Sequence, residues 1–293
     1  MVLNSAAARA ADLNQLGRIS MEVLKTQGIE LPRLGFGTFR MPGGGCQPVV
    51  ESALELGYRH IDTAEMYQNE EAVGAAIAAS GLARKQLHLT TKVWHENLKP
   101  ESLRRTLDAS LGKLGVDYVD LYMVHWPSRD MDLGAVMETM QGFLQNGTVR
   151  SIGVCNFNMT MLRTAIEEIG APIACHQIEY HAFLDQSKML SYLREKGIPL
   201  VAYAPLAQGR AASDPVLQAI GTKHGVSAAQ VALAWLLEQD GVAVIPKAQR
   251  RESQKSNLDA LTVKLDDDDL RAIAMLPKNN RFVTPPFAPE WDA

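Results

Sequence analysis

Short β-rich runs alternate with helical segments along most of this chain, and this alternation restricts its possible folds more than any other feature. Eight runs have the residue types and flanking turns typical of strands, and they cover residues 34–38, 60–64, 88–93, 118–126, 151–156, 175–180, 200–204 and 243–247. Between them lie segments with apolar residues at i, i+3 and i+4, such as residues 49–56, 70–79, 101–114 and 133–145. Strands joined by such short helical connections run parallel.

The spacing of the strands favours a closed sheet. Up to the seventh, successive strands begin roughly 25 to 32 residues apart, as in a (β/α)₈ barrel. The last gap is longer and holds two helical stretches, residues 215–223 and 228–238, the second preceded by Ser227 as a predicted N-cap. A doubly wound open sheet would normally carry GxGxxG after its first strand, whereas residues 35–39 read GFGTF. We therefore expect a single-domain α/β fold, a (β/α)₈ TIM barrel, over residues 21–293.

Two further segments have simple structural interpretations. Residues 1–20 are of low complexity and show no clear strand pattern, so we expect a disordered extension ahead of the barrel. Four aspartates at positions 266–269 precede Leu270, Ile273 and Leu276 at helical spacing. Acidic residues in a first turn complement the helix dipole, so this charge run is predicted to be a solvated helix start and not a metal site.

Composition argues against several classes of function. The net charge of -4, with basic residues spread along the 293-residue chain, gives no footprint for nucleic acid or an anionic membrane. No apolar run approaches the roughly 20 residues that span a bilayer. Cys46, Cys155 and Cys175 match neither a disulfide framework nor zinc-ligand spacing. We expect a cytoplasmic monomer that binds no metal.

Four polar residues occupy the strand ends where barrel enzymes place their active sites. Asp62 ends the second strand, Tyr67 follows in the next loop, Lys92 ends the third strand and His125 ends the fourth. Singly, each has an ordinary explanation: a turn cap, rim packing, a paired barrel lysine and a core histidine. Together they form a chemical unit, because their positions in consecutive units allow them to converge in one pocket.

The chemistry of this unit depends on the tyrosine. A phenol with a pKa near 10 is a poor acid at neutral pH unless a cation stabilises its phenolate. A desolvated Lys92 would supply the shift of about 2 to 3 pKa units that this requires. Asp62 would keep Lys92 charged and in place. His125, neutral beside Lys92, would orient a carbonyl oxygen.

Two segments resemble the signatures of a known family. Residues 57–64 read GYRHIDTA and are followed by Glu70, Val73 and Gly74, which resembles the first signature of the aldo-keto reductases. Residues 150–157, RSIGVCNF, resemble the second. Within the family the chain is most similar to the bacterial 2,5-diketo-D-gluconic acid reductase B and methylglyoxal reductase type, including its ending FAPEWD at residues 287–292. The resemblance implies that Asp62, Tyr67, Lys92 and His125 are catalytic, with Tyr67 as the proton donor.

The same resemblance implies an extended NADPH across the strand ends, since no side chain supplies hydride. Residues placed at the nicotinamide are Asp62, Cys155, Asn156, Gln177 and, stacked on the ring, Tyr203. Gly37 and Thr38 match the Gly-Thr of the family near the first strand end. The loop that covers the pyrophosphate corresponds to Pro205, Leu206, Gln208 and Gly209.

The adenosine end departs from the family pattern. The family commonly has Ile-Pro-Lys-Ser and then an arginine five residues after the serine, where this chain has Ile245, Lys247, Ala248 and Ser253. Arg250 and Arg251 still place positive charge near the expected 2′-phosphate, and arginine binds phosphate bidentately. Asn257 fits the adenine position. NADPH is favoured, with NADH as the alternative cofactor.

The resemblance also places aromatic residues around a small carbonyl substrate, a methylglyoxal-like or diketogluconate-like compound: Phe39, Trp94, His125, Trp126 and Phe157. Two other functions remain open on the sequence. Related barrels serve as cofactor-sensing regulatory subunits of potassium channels, and a barrel lyase or isomerase would use Lys92 as a Schiff-base amine. A lysine paired with Asp62 is poorly nucleophilic, which argues against the second.

Overall fold

A β-hairpin precedes the barrel. The computed structural model describes residues 22–292, so the extension expected at residues 1–20 lies outside the described residues. Strands β1 (Val23–Thr26) and β2 (Ile29–Pro32) pair antiparallel. Gln27 and Gly28 join them with φ values of 42° and 78°, as a two-residue hairpin turn requires. Leu31 of β2 is fully buried among residues of the barrel strands, so the hairpin closes one end of the barrel.

Eight parallel strands form one sheet that closes on itself. In chain order these strands are β3 (Phe36–Gly37), β4 (His60–Asp62), β5 (His88–Val93), β6 (Leu121–Val124), β7 (Ile152–Cys155), β8 (Ile173–Glu179), β9 (Leu200–Tyr203) and β10 (Val242–Val244). Each pairs with its sequence neighbours, and a parallel bridge between Leu34 and Val244 joins the first strand to the last. The Gly35 amide donates to the Val244 carbonyl at 2.8 Å. The barrel predicted from the alternation is confirmed.

Helices surround the sheet and cover its outer face. They are α1 (Cys46–Glu55), α2 (Glu70–Ala79), α3 (Pro100–Leu114), α4 (Leu133–Asn146), α5 (Met159–Arg163), α6 (Ser187–Glu195), α7 (Arg210–Ser213), α8 (Pro215–His224), α9 (Ala228–Leu237), α10 (Arg251–Asp259) and α11 (Asp267–Ala274). Helix α3 shows why such segments are helical: Pro100 starts it, Leu103 and Leu107 face the core, and Gly115 ends it at φ 65°. Between residues 22 and 292, none of the helices is both long and apolar enough to cross a membrane.

The two helix starts predicted from the sequence are confirmed. The Ser227 hydroxyl accepts the Gln230 amide at 3.2 Å and caps α9. The Asp266 carboxylate accepts the amides of Asp268 and Asp269 and caps α11. The strand predicted at residues 118–126 is shorter in the structure, Leu121–Val124. Trp126 lies beyond the end of this strand, and its ring packs against Phe287 and Trp291 of the C-terminal segment.

The close packing of α2 on α3 depends on a glycine of the first signature. A Cβ built on Gly74 would overlap the main-chain carbonyl of Leu114. Gly74→Ala is therefore expected to lower the free energy of unfolding by about 1 to 3 kcal/mol, because backbone must move. Gly142→Ala is the matched control: nothing lies within 4 Å of its added Cβ, and alanine should stabilise α4 by about 0.5 to 1 kcal/mol. Denaturant unfolding measures both, and equal effects of the two substitutions would contradict the packing argument.

Candidate active site

The four predicted catalytic residues meet at the carboxyl ends of β4, β5 and β6. Asp62 is the last residue of β4, Lys92 lies near the end of β5, and His125 follows β6 directly. Tyr67 ends a single 3₁₀ turn, Glu65–Tyr67, whose position is fixed by Asn69. The buried Asn69 amide donates to the carbonyls of Thr38 and Met41 at 2.9 and 3.0 Å, which ties this loop to the chain after β3.

Lys92 and Asp62 form a fully buried ion pair. The Lys92 Nζ donates to Asp62 Oδ1 at 2.5 Å and to the Thr63 carbonyl at 2.9 Å. The second oxygen of Asp62 accepts Gln177 Nε2 at 2.9 Å. Burial alone would lower the pKa of the Lys92 ammonium, but Asp62 and Tyr67 raise that pKa above its usual value. The lysine is therefore a charged group, placed by the carboxylate as the sequence predicts.

Tyr67 keeps its proton in this environment. The Lys92 Nζ lies 5.2 Å from the centre of the Tyr67 ring. Burial raises the pKa of Tyr67 to about 12, with Lys92 lowering it and Asp62 raising it. The expected fall of this pKa toward neutrality is therefore not found, because desolvation of the phenolate outweighs the attraction of the lysine. A phenol that is protonated at neutral pH is in the form needed to donate a proton.

His125 is a neutral imidazole, as predicted. Burial and then the charge of Lys92 hold its pKa well below the usual range. Its ring centre lies 5.4 Å from that of Tyr67 and 5.2 Å from that of Trp94, both edge to face. Its Nδ1 is buried without a hydrogen-bond partner. The imidazole therefore lies beside the phenol, where both can face one carbonyl oxygen.

Aromatic side chains surround this centre, as predicted, with one exception. The Phe39 ring lies 5.0 Å from Tyr67. The Phe287 ring lies 5.5 Å from Trp94 and 5.6 Å from Trp126, so the C-terminal segment completes the wall. Phe157 is the exception: it is fully buried in the main hydrophobic core, following Asn156, whose left-handed backbone (φ 60°) turns the chain there. The structure places Phe157 in the core, and its contact with a substrate stays a prediction.

The predicted nicotinamide residues are linked to the catalytic group. The Asn156 side chain accepts the Tyr203 hydroxyl at 2.8 Å and donates to the His125 carbonyl at 2.9 Å. Gln177 reaches the site through Asp62. Cys155 differs: its thiol contacts Met123 Sδ at 3.8 Å in the barrel interior and is fully buried. Cys155 therefore lies in the barrel interior, close enough to Lys92 and Asp62 for their charges to act on its thiol.

Two predicted cofactor residues have clear structural roles as well. A Cβ on Gly37 would lie 2.7 Å from the Ile245 carbonyl, so only glycine permits this approach of the first and last strands. Thr38 is fully buried and its hydroxyl donates to the Asp62 carbonyl at 3.0 Å. Both residues hold β3 against its neighbours. Neither observation conflicts with a ligand lying across their main chain.

The loop after β9 has an unusual backbone. This loop contains Pro205 and Leu206, and the residues around them with positive φ are Ala204 (47°), Ala207 (51°), Gln208 (53°) and Gly209 (100°). Left-handed conformations are costly for residues other than glycine. Strain of this kind persists where the surrounding structure enforces it, and it is concentrated at functional sites. The loop predicted to cover a pyrophosphate therefore has an enforced shape.

The basic residues after β10 differ in the contacts that their side chains make. Lys247 and Arg250 are exposed and make no ion pair within residues 22–292. Arg251 is different, because its Nη1 lies 2.9 Å from Glu55 Oε2 and 3.1 Å from Ser52 Oγ, both on α1. The contact of Arg251 with the 2′-phosphate stays a prediction, and in the structure its guanidinium is engaged by α1. Lys247 and Arg250 are thus exposed cations that an anion could reach. Three further residues predicted to hold the cofactor are buried: Ile245, Ala248 and Asn257.

Sequence reasoning missed one acidic residue that supports the site. The Glu65 carboxylate accepts the main-chain amide of Trp94 at 2.9 Å and the side-chain amide of Asn97 at 2.5 Å. It thereby fixes the loop after β5 to the turn that carries Tyr67. A single glutamate in a loop has no sequence signal that would reveal such a role.

Comparison with known proteins agrees with this geometry. The model of the Aldo/keto reductase family matches residues 33–277. The methylglyoxal reductase DkgB of Escherichia coli O157:H7 is 45% identical over 267 residues, which are 89% of this chain and 99% of that protein. The glyoxal reductase of Bacillus subtilis (strain 168) is 37% identical over 255 residues, 87% of this chain and 92% of that protein. A solved structure described as a 2,5-diketo-D-gluconic acid reductase B has a TM-score of 0.91 at 41% identity, with 93% and 98% of the chains covered. The chain belongs to the aldo/keto reductase family, whose members are NAD(P)H-dependent oxidoreductases.

Proposed function

We propose that this enzyme reduces small aldehydes or ketones to alcohols, with NADPH as the hydride donor and Tyr67 as the proton donor. The observation that carries the proposal is the contact of Tyr67 with the buried Lys92–Asp62 pair and with neutral His125. Methylglyoxal-like and diketogluconate-like compounds are the substrates we propose, because relatives with 37% to 45% identity are named for glyoxal and methylglyoxal.

Each of the four residues has a distinct part in this chemistry. The bound cofactor supplies the hydride. Tyr67 donates its proton to the oxygen of the carbonyl as negative charge develops there. Lys92 stabilises the phenolate that remains, and Asp62 holds the lysine charged and in place. Neutral His125 orients the carbonyl oxygen toward the phenol without competing as a cation.

Three buried free cysteines, with no disulfide among residues 22–292, support a reducing compartment. We propose a cytoplasmic monomer that acts on small molecules.

The function is tested by following NADPH and NADH oxidation with a panel of aldehydes and ketones. We expect turnover with methylglyoxal and faster turnover with NADPH. An enzyme that oxidises neither cofactor with any carbonyl compound would contradict the proposal.

The preference for NADPH is expected to depend on Arg250. Arg250→Ala removes an unpaired cation that we place at the 2′-phosphate, so the KM for NADPH should rise about tenfold and the KM for NADH should not. Arg251→Ala is the matched control, since its guanidinium is held by Glu55 on α1. Steady-state kinetics with both cofactors measure this. Equal losses in the two variants, or an unchanged NADPH preference in Arg250→Ala, would contradict the assignment.

A further inference from the structure

A cavity of about 950 Å³, the base cavity, lies at the end of the barrel opposite the catalytic residues. The hairpin forms one wall, through residues 28–30 and Pro32, and residues that precede or begin β4, β5, β6 and β7 form the other. The catalytic residues lie near or after the carboxyl ends of β4, β5 and β6, so the length of the strands separates the two places. None of the residues that line the base cavity is among the predicted catalytic, cofactor or substrate residues.

Three basic residues line the base cavity and form no ion pair within the described part of the chain: Arg59, Lys85 and Arg150. Arg59 belongs to the first signature segment, and Arg150 begins the second. Each comes just before its strand, whereas Asp62 and Asn156 lie at or after the far end of the same strands. The active site therefore does not explain why the two segments also carry these arginines.

The acidic residues of the base cavity do not neutralise these three cations. Asp120 is already engaged, because its Oδ2 accepts Arg84 Nη2 at 2.7 Å and the Leu89 amide at 2.9 Å. Glu30, on the hairpin, is the other acidic residue that lines the cavity, and its side chain is exposed. Three unpaired cations thus face one unpaired carboxylate. A surplus of positive charge in a concave site attracts small anions.

The two arginines of the base cavity are held in place before any ligand binds. The Arg59 Nη1 donates to the carbonyls of Leu54 and Tyr58 at 3.0 and 2.8 Å, which leaves its other guanidinium nitrogens free. The Arg150 Cζ lies 4.5 Å from the centre of the Tyr118 ring. Stacking on an aromatic ring fixes a guanidinium plane and leaves its N–H groups available at the edge. Cations positioned in advance lose less side-chain entropy when they bind an anion.

A buried histidine of the base cavity has a polar atom without a partner. His88, the first residue of β5, lines the cavity and is only 6% exposed, and its Nε2 is buried without a hydrogen-bond partner. Burial lowers the pKa of His88 to about 4, with Asp120 opposing this shift and Arg84 adding to it. The imidazole is therefore neutral. Its Nε2 is a donor or an acceptor according to the tautomer, and a hydroxyl group satisfies either one.

We propose that the base cavity binds a small organic phosphate that carries a hydroxyl group, with the phosphate among Arg59, Lys85 and Arg150 and the hydroxyl at His88 Nε2. A phosphate monoester carries up to two negative charges and matches guanidinium forks, so it suits several cations at once. A monocarboxylate is the weaker alternative, because a single charge would leave most of these cations unpaired. The site does not depend on the reductase function proposed above.

The test is a calorimetric titration with glycerol 3-phosphate, which has no carbonyl group and so cannot be reduced. The enzyme is saturated with NADP⁺, so that its cofactor site is occupied, and ionic strength is held constant. We expect one molecule to bind per chain, glycerol not to bind, and inorganic phosphate to bind at least fivefold more weakly because it leaves His88 Nε2 unpaired.

Two variants with the same change in net charge locate the binding. Arg150→Met should raise the Kd for glycerol 3-phosphate at least tenfold, since a charge-assisted hydrogen bond to phosphate is lost. Arg129→Met is the matched control: Arg129 is an exposed arginine in the loop after Trp126, and its removal should leave the Kd unchanged. Arg150→Met should also keep the parent rate of NADPH oxidation, because the length of β7 separates Arg150 from Asn156.

A measurement on the parent enzyme needs no variant. During the titration the imidazole ¹⁵N resonance of His88 Nε2 should shift, whereas that of His176, which does not line the cavity, should not. An unchanged His88 resonance, or no binding of glycerol 3-phosphate, would overturn the site. Equal losses of affinity in Arg150→Met and Arg129→Met would show only a general attraction of charge and would overturn it as well. Each of these results leaves the reductase function standing.

Discussion

Replacing Tyr67 with phenylalanine is expected to lower the kcat for aldehyde reduction about a thousandfold, while the Kd for NADPH changes less than threefold. The size follows from the contribution of a positioned general acid, about 10² to 10⁴ in rate. Phenylalanine keeps the ring that contacts Phe39 and His125, so the shape of the pocket is preserved. Cofactor fluorescence measures binding, and the initial rate of NADPH oxidation measures turnover.

The pH dependence of kcat provides a second test of the role of Tyr67. A pKa raised to about 12 keeps Tyr67 protonated at every pH well below that value. The kcat for reduction should therefore show no loss from Tyr67 ionisation between pH 6 and about pH 10, two units below that pKa. Tyr118→Phe is the control, because this tyrosine lies between Arg84 and Arg150 and precedes β6, at the opposite end of that strand from His125. If Tyr67→Phe reduces aldehydes at the parent rate, another group is the acid.

The sequence predicted the barrel and the convergence of four polar residues at its strand ends, because both depend on short-range patterns. Periodicity reports which segments are strands, and strand ends in a parallel barrel must meet at one face. Asp62, Lys92 and His125 could therefore be placed together before any coordinates were known. The first signature contributed Gly74, whose packing on Leu114 explains the residue in physical terms.

What the sequence could not reveal depends on where a side chain points after its strand has ended. Phe157 and Arg251 have residue types that suit a pocket and a phosphate, but one is buried in the core and the other pairs with Glu55. The pKa of Tyr67 also depends on the depth of its burial, which spacing does not report.

Replacing Lys92 with methionine is expected to abolish measurable reduction and to lower the free energy of unfolding by about 3 to 5 kcal/mol. The activity falls because the phenolate left by Tyr67 loses its cation. The stability falls because a buried carboxylate loses its counter-ion, and removing one member of a buried pair costs far more than the pair contributes. Gln177 still donates to Asp62, but a neutral amide does not compensate a buried charge. Denaturant unfolding and NADPH oxidation measure the two effects on the same variant.

A second substitution separates the two effects. In Lys92→Met with Asp62→Leu, no charge is left in the barrel at this point, so most of the lost stability should return. Reduction should not return, because neither side chain can stabilise the phenolate. Asp62 also accepts the Thr38 amide and hydroxyl, but through its main-chain carbonyl, which leucine retains. A double variant that regains the parent rate would mean that the buried pair serves stability alone, and a single variant as stable as the parent would mean that Asp62 does not need Lys92.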